Sequence, residues 1–186
     1  MKRSLVDSSG SREPGSWHCR DEGTGRPLIL LHGIGMSHAA WAPVIPFLSA
    51  SRRVIAFDTA GFGSTPSLGR GMPATIHNLV TALERALHLL RLETPVDIAG
   101  NSLGATMALE ASRRGLARRV VAISPPGLWL NREPPHVKYV FAGLRLTATT
   151  MPRVMKAAIR VPSVRELALA IPLSVGSRRM PAAAAA

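Results

Sequence analysis

A single cysteine, Cys19, stands in a chain of 186 residues. No internal disulfide can form, and a reducing, cytoplasmic setting is the expectation. No apolar run reaches the length of a membrane-spanning helix, so no membrane span is expected. The first ten residues are basic, but no apolar h-region follows them, so no signal peptide is read there. Aromatic residues are scarce, at 4%. Lysine is nearly absent, with only Lys2, Lys138 and Lys156, so the formal net charge of +12 is carried by arginine. The excess falls almost entirely after residue 100, in scattered pairs such as Arg113-Arg114, Arg118-Arg119 and Arg178-Arg179. No basic stripe with interleaved aromatics exists, so biased arginine usage explains the charge better than nucleic-acid binding does. There is no Walker A motif and no internal repeat. His18, His38, His77 and His88 show no ligand spacing and read as surface or half-buried side chains, so no metal is expected.

What is present is an alternation of buried strands and helices. The chain is 46% hydrophobic, enough for one core. Trp17–Arg20 reads as a short strand and residues 21–26 as a glycine-rich turn, together suggesting a hairpin with the next strand. Leu28–Leu31, Val54–Phe57, Val96–Ala99 and Arg119–Ser124 are continuous apolar runs. Strands buried on both faces look this way, which points to a parallel sheet covered by helices. A short helix, broken by Pro43 and Pro46, is expected over 39–48. Thr75–Leu92 is the clearest helix, because Ile76, Leu79, Val80, Leu83, Ala86, Leu87 and Leu90 share one face. The fold class is therefore α/β, a mostly parallel sheet with helices on both faces. After Ser124 the alternation stops, and a proline-punctuated, helical stretch begins.

The strand at 96–99 runs into Gly100-Asn101-Ser102-Leu103-Gly104, and a helix over about 103–114, with Gly115 at its C-terminal cap, follows. Gly-x-Ser-x-Gly between a strand and a helix is the context of a nucleophile elbow. The two glycines let the turning backbone pass close to its neighbours. Ser102 would stand above the sheet edge, beside helix N–H groups and a dipole that favour negative charge.

Three stretches together resemble the N-terminal signatures of the α/β-hydrolase superfamily, in the family's order. They are His32-Gly33-Ile34-Gly35, Asp58-Thr59-Ala60-Gly61-Phe62-Gly63-Ser64 and Gly100-Asn101-Ser102-Leu103-Gly104. Ser124-Pro125-Pro126-Gly127-Leu128-Trp129 is similar to the junction between sheet and lid in bacterial, lid-containing serine hydrolases. The resemblance implies that Ser102 is the nucleophile. It implies an oxyanion hole from the backbone N–H groups of Leu103 and Ile34, with Gly35 the less favoured source of the second donor. His32, Gly33 and Asp58 would order the loops around the site. It also implies a hydrolase core over 17–125 and a helical lid over 126–180, while composition alone marks a disordered lead-in over 1–16 and an alanine-rich tail over 181–186.

One departure from the family pattern is expected to limit activity. The family's order is Ser, then Asp or Glu, then His. Beyond Ser102 the acids are Glu110, Glu133 and Glu166, and the one histidine is His136. Glu110 should lie about 12 Å along the helix at 1.5 Å per residue, and Glu133 and His136 read as a solvated turn at the start of the lid. General acid and base are thus not found, and the chain reads as a C-terminally incomplete member lacking the last strands. Weak or absent hydrolysis of an ester or similar acyl bond is the expectation. The last strand would be left as an exposed apolar edge.

Two other readings compete. A non-catalytic hydrolase-like scaffold could bind a ligand or partner beneath the lid. A dinucleotide-binding domain is suggested by Gly33-x-Gly35-x-x-His38 after a strand, with Asp58 downstream. Against it, His38 occupies the place of the third glycine, and two prolines interrupt the following helix. Haloperoxidase-like and acyltransferase chemistries share the superfamily. Leu128, Trp129, Leu130, Val137, Tyr139, Val140, Phe141 and Leu144 would suit a small hydrophobic ester or acyl substrate, or would simply pack the lid. No cofactor is expected.

Overall fold

A computed structural model describes residues 15–127, together with Tyr139, Ala142, Gly143, Leu146 and Thr150, which are helical and exposed. The lead-in through residue 14, most of the lid and the alanine-rich tail lie outside the described residues. The chain divides into two compact units between Pro126 and Gly127, and the first contains everything that follows.

Five strands form one sheet: β1 (Cys19–Glu22), β2 (Pro27–Leu31), β3 (Arg53–Phe57), β4 (Val96–Asn101) and β5 (Ala117–Ile123). Their order is β1-β3-β2-β4-β5. The three pairings β3–β2, β2–β4 and β4–β5 are parallel, and only β1 runs antiparallel, against β3. The expected hairpin is therefore corrected, because β1 pairs with β3 and not with β2. Gly23, at φ +79°, lies against the carbonyls of Ser49 and Arg52, where a Cβ would collide. The turn is thus pressed onto the approach to β3, and the Asp21 carboxylate accepts from the Arg53 guanidinium at 2.6 Å to lock the two strands together. Strand β1 also runs on through Asp21 and Glu22, which the glycine-rich reading had placed in the turn.

Alternation along the strands feeds two apolar layers. Ile29, Leu31, Ile55, Phe57 and Ile98 face one side, where α2 (Ile76–Leu89) and α3 (Leu103–Arg113) cover them. Leu79, Val80, Leu83, Ala86 and Leu87 form the buried stripe of α2, as its periodicity required. Thr75 caps that helix, its side chain accepting from the Asn78 N–H. Leu30, Val54 and Ala56 face the other side, under α1 (Ile45–Ser49) and the 3₁₀ turn His38–Trp41. The prolines split the expected helix over 39–48 into these two short pieces. No helix among the described residues is long and apolar enough to cross a membrane.

The ends of the sheet differ. At the start of β4, Asp97 is buried, and Arg52 and Arg118 both donate to it, Arg118 at 2.8 Å. Burial alone would raise this carboxyl, but the arginines outweigh burial and hold it below the usual carboxylate range. This ion triad ties the lower ends of β3, β4 and β5 together. At the lateral edge, β5 has no neighbour on its outer side among the described residues. Val121 and Ile123, on the face of Ala99, are 59% and 43% exposed. Such an apolar, unpaired edge is a template for pairing with another chain. Val121→Lys is expected to raise the soluble fraction on expression and to reduce light scattering on concentration, with the far-UV circular dichroism unchanged. An unchanged or larger scattering signal would mean that the edge is covered.

Candidate active site

The turn from β4 into α3 is built on close approach. A Cβ on Gly100 would collide with the carbonyl of Gly104, and one on Gly104 with the carbonyl of Leu31 on the neighbouring strand. Only glycine at both positions lets the chain reverse within five residues and still pack against β2. The residue between them absorbs the cost. Ser102 has φ 51° and ψ −115°, a region that a side-chain-bearing residue enters only where the surroundings impose it, at about 1–3 kcal/mol. Its N–H donates to the Ile123 carbonyl at 2.9 Å, and its own carbonyl accepts from Ala105 and Thr106 to start α3. Ser102 is thus held from β5 on one side and from the helix on the other.

The loop after β2 comes up beside it. A Cβ placed on Gly33 would stand 3.3 Å from the Ser102 Cβ. His32 is buried and takes no part in proton transfer in this arrangement. Its Nε2 accepts from the Thr59 N–H at 3.1 Å, so Nδ1 is the protonated nitrogen and donates to the Gly33 carbonyl at 2.7 Å. Burial pushes its pKa down, and the Phe62 ring stands edge-on at 5.6 Å. His32 therefore orders the loop and has no free lone pair for a hydroxyl proton. Ile34, the expected second oxyanion donor, lies at the exposed crest of this loop.

Asp58 ends β3 and is 1% exposed. It accepts from the backbone N–H groups of His38 at 2.7 Å and Ser64 at 2.8 Å, and from the rings of His18 and His38. Burial would raise this carboxyl, but these hydrogen bonds carry it far below the usual carboxylate range. Sequence spacing did not disclose this convergence. His18 and His38 are half-buried as expected, yet they meet at one carboxylate from segments far apart in the chain. Glu110 is committed elsewhere. Arg113 and Arg114 donate to it at 2.7 and 2.8 Å, and their hydrogen bonds lower its pKa to about 2. Glu133, His136 and Glu166 lie outside the described residues.

His32, Met36, Ala40, Trp41, Asn101 and Ile123 line a cavity of about 280 Å³ at the carboxyl ends of β2, β4 and β5. Ligands of open α/β sheets bind at such strand ends. The lining is apolar apart from His32, Asn101 and the indole of Trp41. The Trp41 N–H is buried without a hydrogen-bond partner among the described residues, leaving a donor for an incoming oxygen.

A family model described as "Alpha/beta hydrolase family" matches residues 28–185. The (E)-2-((N-methylformamido)methylene)succinate hydrolase of Acinetobacter baylyi is 33% identical over 109 residues, covering 58% of this chain and 40% of that protein. The pimeloyl-[acyl-carrier protein] methyl ester esterase of Aeromonas hydrophila is 31% identical over 124 residues, covering 65% of this chain and 47% of that protein. A crystal structure of an alpha/beta hydrolase fold protein from Burkholderia ambifaria superposes with a TM-score of 0.63 at 20% identity, over 90% of this chain and 60% of that one. The chain spans less than half the length of these two curated relatives. The match assigns the Gly33–Gly35 loop to this fold and replaces the dinucleotide-binding reading.

Two substitutions test the site's framework. Gly104→Ala is expected to cost roughly 3–5 kcal/mol or to prevent folding, since its Cβ meets backbone that cannot move aside; a midpoint of urea unfolding near wild type would contradict the close approach. Asp58→Asn tests the charge. A carboxyl whose folded pKa is depressed adds stability above its unfolded pKa of about 3.9 and loses it as pH falls toward the folded value. Asp58→Asn should therefore lower stability by roughly 1.5–3 kcal/mol at pH 7 and flatten its decline below about pH 4. Parallel acid limbs for variant and wild type would show that Asp58 is not held as the charged form.

Proposed function

This chain belongs to the alpha/beta hydrolase family, and on that premise we propose that Ser102 is the nucleophile of a serine hydrolase acting on an ester or similar acyl bond. The observation that carries the reading is the strained Ser102, φ 51°, at the tip of β4. Its hydroxyl attacks the carbonyl carbon of the substrate. The N–H groups of Leu103 and Ile34 take the charge that develops on the oxygen, and one such donor is worth about 10²–10³ in rate. His32, Gly33 and Asp58 hold the loops in place. Met36, Trp41 and Ile123 supply an apolar wall for a small hydrophobic acyl group. Residues 17–125 act as the core and 126–180 as the lid. The free thiol of Cys19 is buried, and burial raises its pKa to about 11, which suits a reducing, cytoplasmic setting and a thiol with no chemical role.

The proton of Ser102 needs an acceptor. Among the described residues, His32 is occupied by Thr59 and Glu110 by two arginines. A serine hydroxyl without a base is a poor nucleophile, and what is left is the residual rate from oxyanion stabilisation and binding. With no base among the described residues, weak ester hydrolysis is the expectation.

A fluorophosphonate probe and a p-nitrophenyl ester test both halves. Slow labelling at Ser102, lost in Ser102→Ala, together with turnover at least about 10³-fold below that of a complete triad enzyme, is the expected result. No labelling of a folded sample would favour a binding scaffold beneath a lid. Full turnover that disappears in Ser102→Ala would show that a base is present.

A further inference from the structure

Outside the proposed active site, three side chains with metal-ligating atoms meet from three separate segments. His18 precedes β1, His38 opens the 3₁₀ turn and Asp58 follows β3. Nδ1 of His18 lies 3.1 Å from Asp58 Oδ2, and Nδ1 of His38 lies 2.8 Å from Oδ1. The three ligating atoms all fall within 4.8 Å of one another. The two rings are about a quarter exposed and the carboxylate is buried, so an ion could reach the cluster from solvent between the rings. We propose that His18, His38 and Asp58 bind a divalent transition-metal ion, with zinc, cobalt or nickel as the class.

The donor set suits those ions. Two imidazole nitrogens and one carboxylate form a borderline-soft set that favours them over calcium or magnesium. The spacing suits them as well. With metal–nitrogen and metal–oxygen bonds of about 2.0–2.2 Å, neighbouring donors stand about 2.9 Å apart at a right angle and about 3.4 Å apart at a tetrahedral angle. The nitrogen–oxygen separations of 3.1 and 2.8 Å, hydrogen bonds in the ion-free cluster, fall in the range of neighbouring ligands of one ion, which would take the place of the Nδ1 protons. Each ring would then present its Nδ1 lone pair and keep its proton on Nε2.

The carboxylate is also held ready from the protein side. The backbone N–H groups of His38 and Ser64 grip one oxygen each, at 2.7 and 2.8 Å. Gly63 packs so closely over it that a Cβ would collide with both oxygens' carbon and with Oδ2. Outer hydrogen bonds that orient a ligating carboxylate in this way are a regular part of metal sites. The ion would fasten His38, and with it the end of the loop that begins at Gly33, to the end of β3. The site shares no residue with the proposed nucleophile or its oxyanion donors, so Ser102→Ala should leave it intact.

The test uses the untagged 186-residue chain, stripped with chelator and titrated with cobalt(II) chloride, then with zinc(II) chloride. Saturable visible ligand-field absorption at one cobalt per chain, bleached by zinc, is expected. At a hundredfold excess over Kd the unfolding midpoint should rise by about 5–10 °C. His18→Gln and His38→Gln should each weaken binding by at least about tenfold, and the double variant should lose it. Circular dichroism checks that the variants fold; His18→Gln alone suffices where the double variant does not. No saturable cobalt signal up to millimolar concentration would overturn the proposal. So would unchanged affinity in the folded His18→Gln variant.

Discussion

The close approach of Gly100, Gly104 and the end of β2 is the constraint on which the rest of this structure depends. Three stretches of backbone occupy the space that one Cβ would need. Because no side chain intervenes, α3 starts directly against the sheet, and its apolar residues Met107, Ala108 and Ala111 fall onto the same layer as α2. Because the turn is so short, Ser102 takes up its angular cost in a strained φ and ψ. The Ile123 carbonyl holds the Ser102 N–H, so the register of β5 against β4 fixes the position of Ser102 too. Packing, sheet order and the proposed chemistry thus share one cause.

Charge has a similarly concentrated role. Two buried aspartates sit at opposite ends of the parallel strands. Asp97, at the lower end, is neutralised by two arginine side chains and joins strands. Asp58, at the upper end, is hydrogen-bonded by backbone N–H groups and two imidazoles and joins loops. The difference in partner is physical. Arginine brings a permanent charge and suits a fixed structural joint. The imidazoles reach Asp58 from two loops, so the upper joint holds segments that no strand pairing connects. It lies next to the loop that carries Gly33 and Ile34, so this joint is the one nearest the proposed site.

The residues disclosed much of this fold before any coordinates. Runs such as Val54–Phe57 announced strands buried on both faces, the α2 stripe announced its helix, and the Gly-x-Ser-x-Gly spacing announced the elbow. Each is a local signal: a period, a run or a turn. What escaped was non-local. The pairing of β1 with β3 depends on where Gly23 can rest against Ser49 and Arg52, and no spacing within residues 17–31 encodes that. His18, His38 and Asp58 meet only because β1 lies beside β3 and the 3₁₀ turn folds back over the end of β3. Their separations of 20 and 40 positions match no ligand pattern. The split of 39–48 into two short helices was visible in Pro43 and Pro46, whereas the extension of β4 through Asn101 was hidden by the glycine that ends the apolar run.

The same distinction separates the two halves of the proposed chemistry. Oxyanion stabilisation and nucleophile placement are made of backbone: N–H groups, a strained φ and glycines that admit close contact. Local sequence can specify features of that kind, and three short motifs within residues 28–104 carry the ones proposed. Proton transfer is made of side chains, and a base must reach Ser102 Oγ from another part of the fold. Among the described residues, the histidine beside the elbow is His32, and an imidazole that accepts from Thr59 and donates to Gly33 has spent both nitrogens on loop order. The division of labour follows from geometry: a ring buried deeply enough to anchor a loop is too enclosed, and too hard to protonate, to shuttle a proton for the serine beside it.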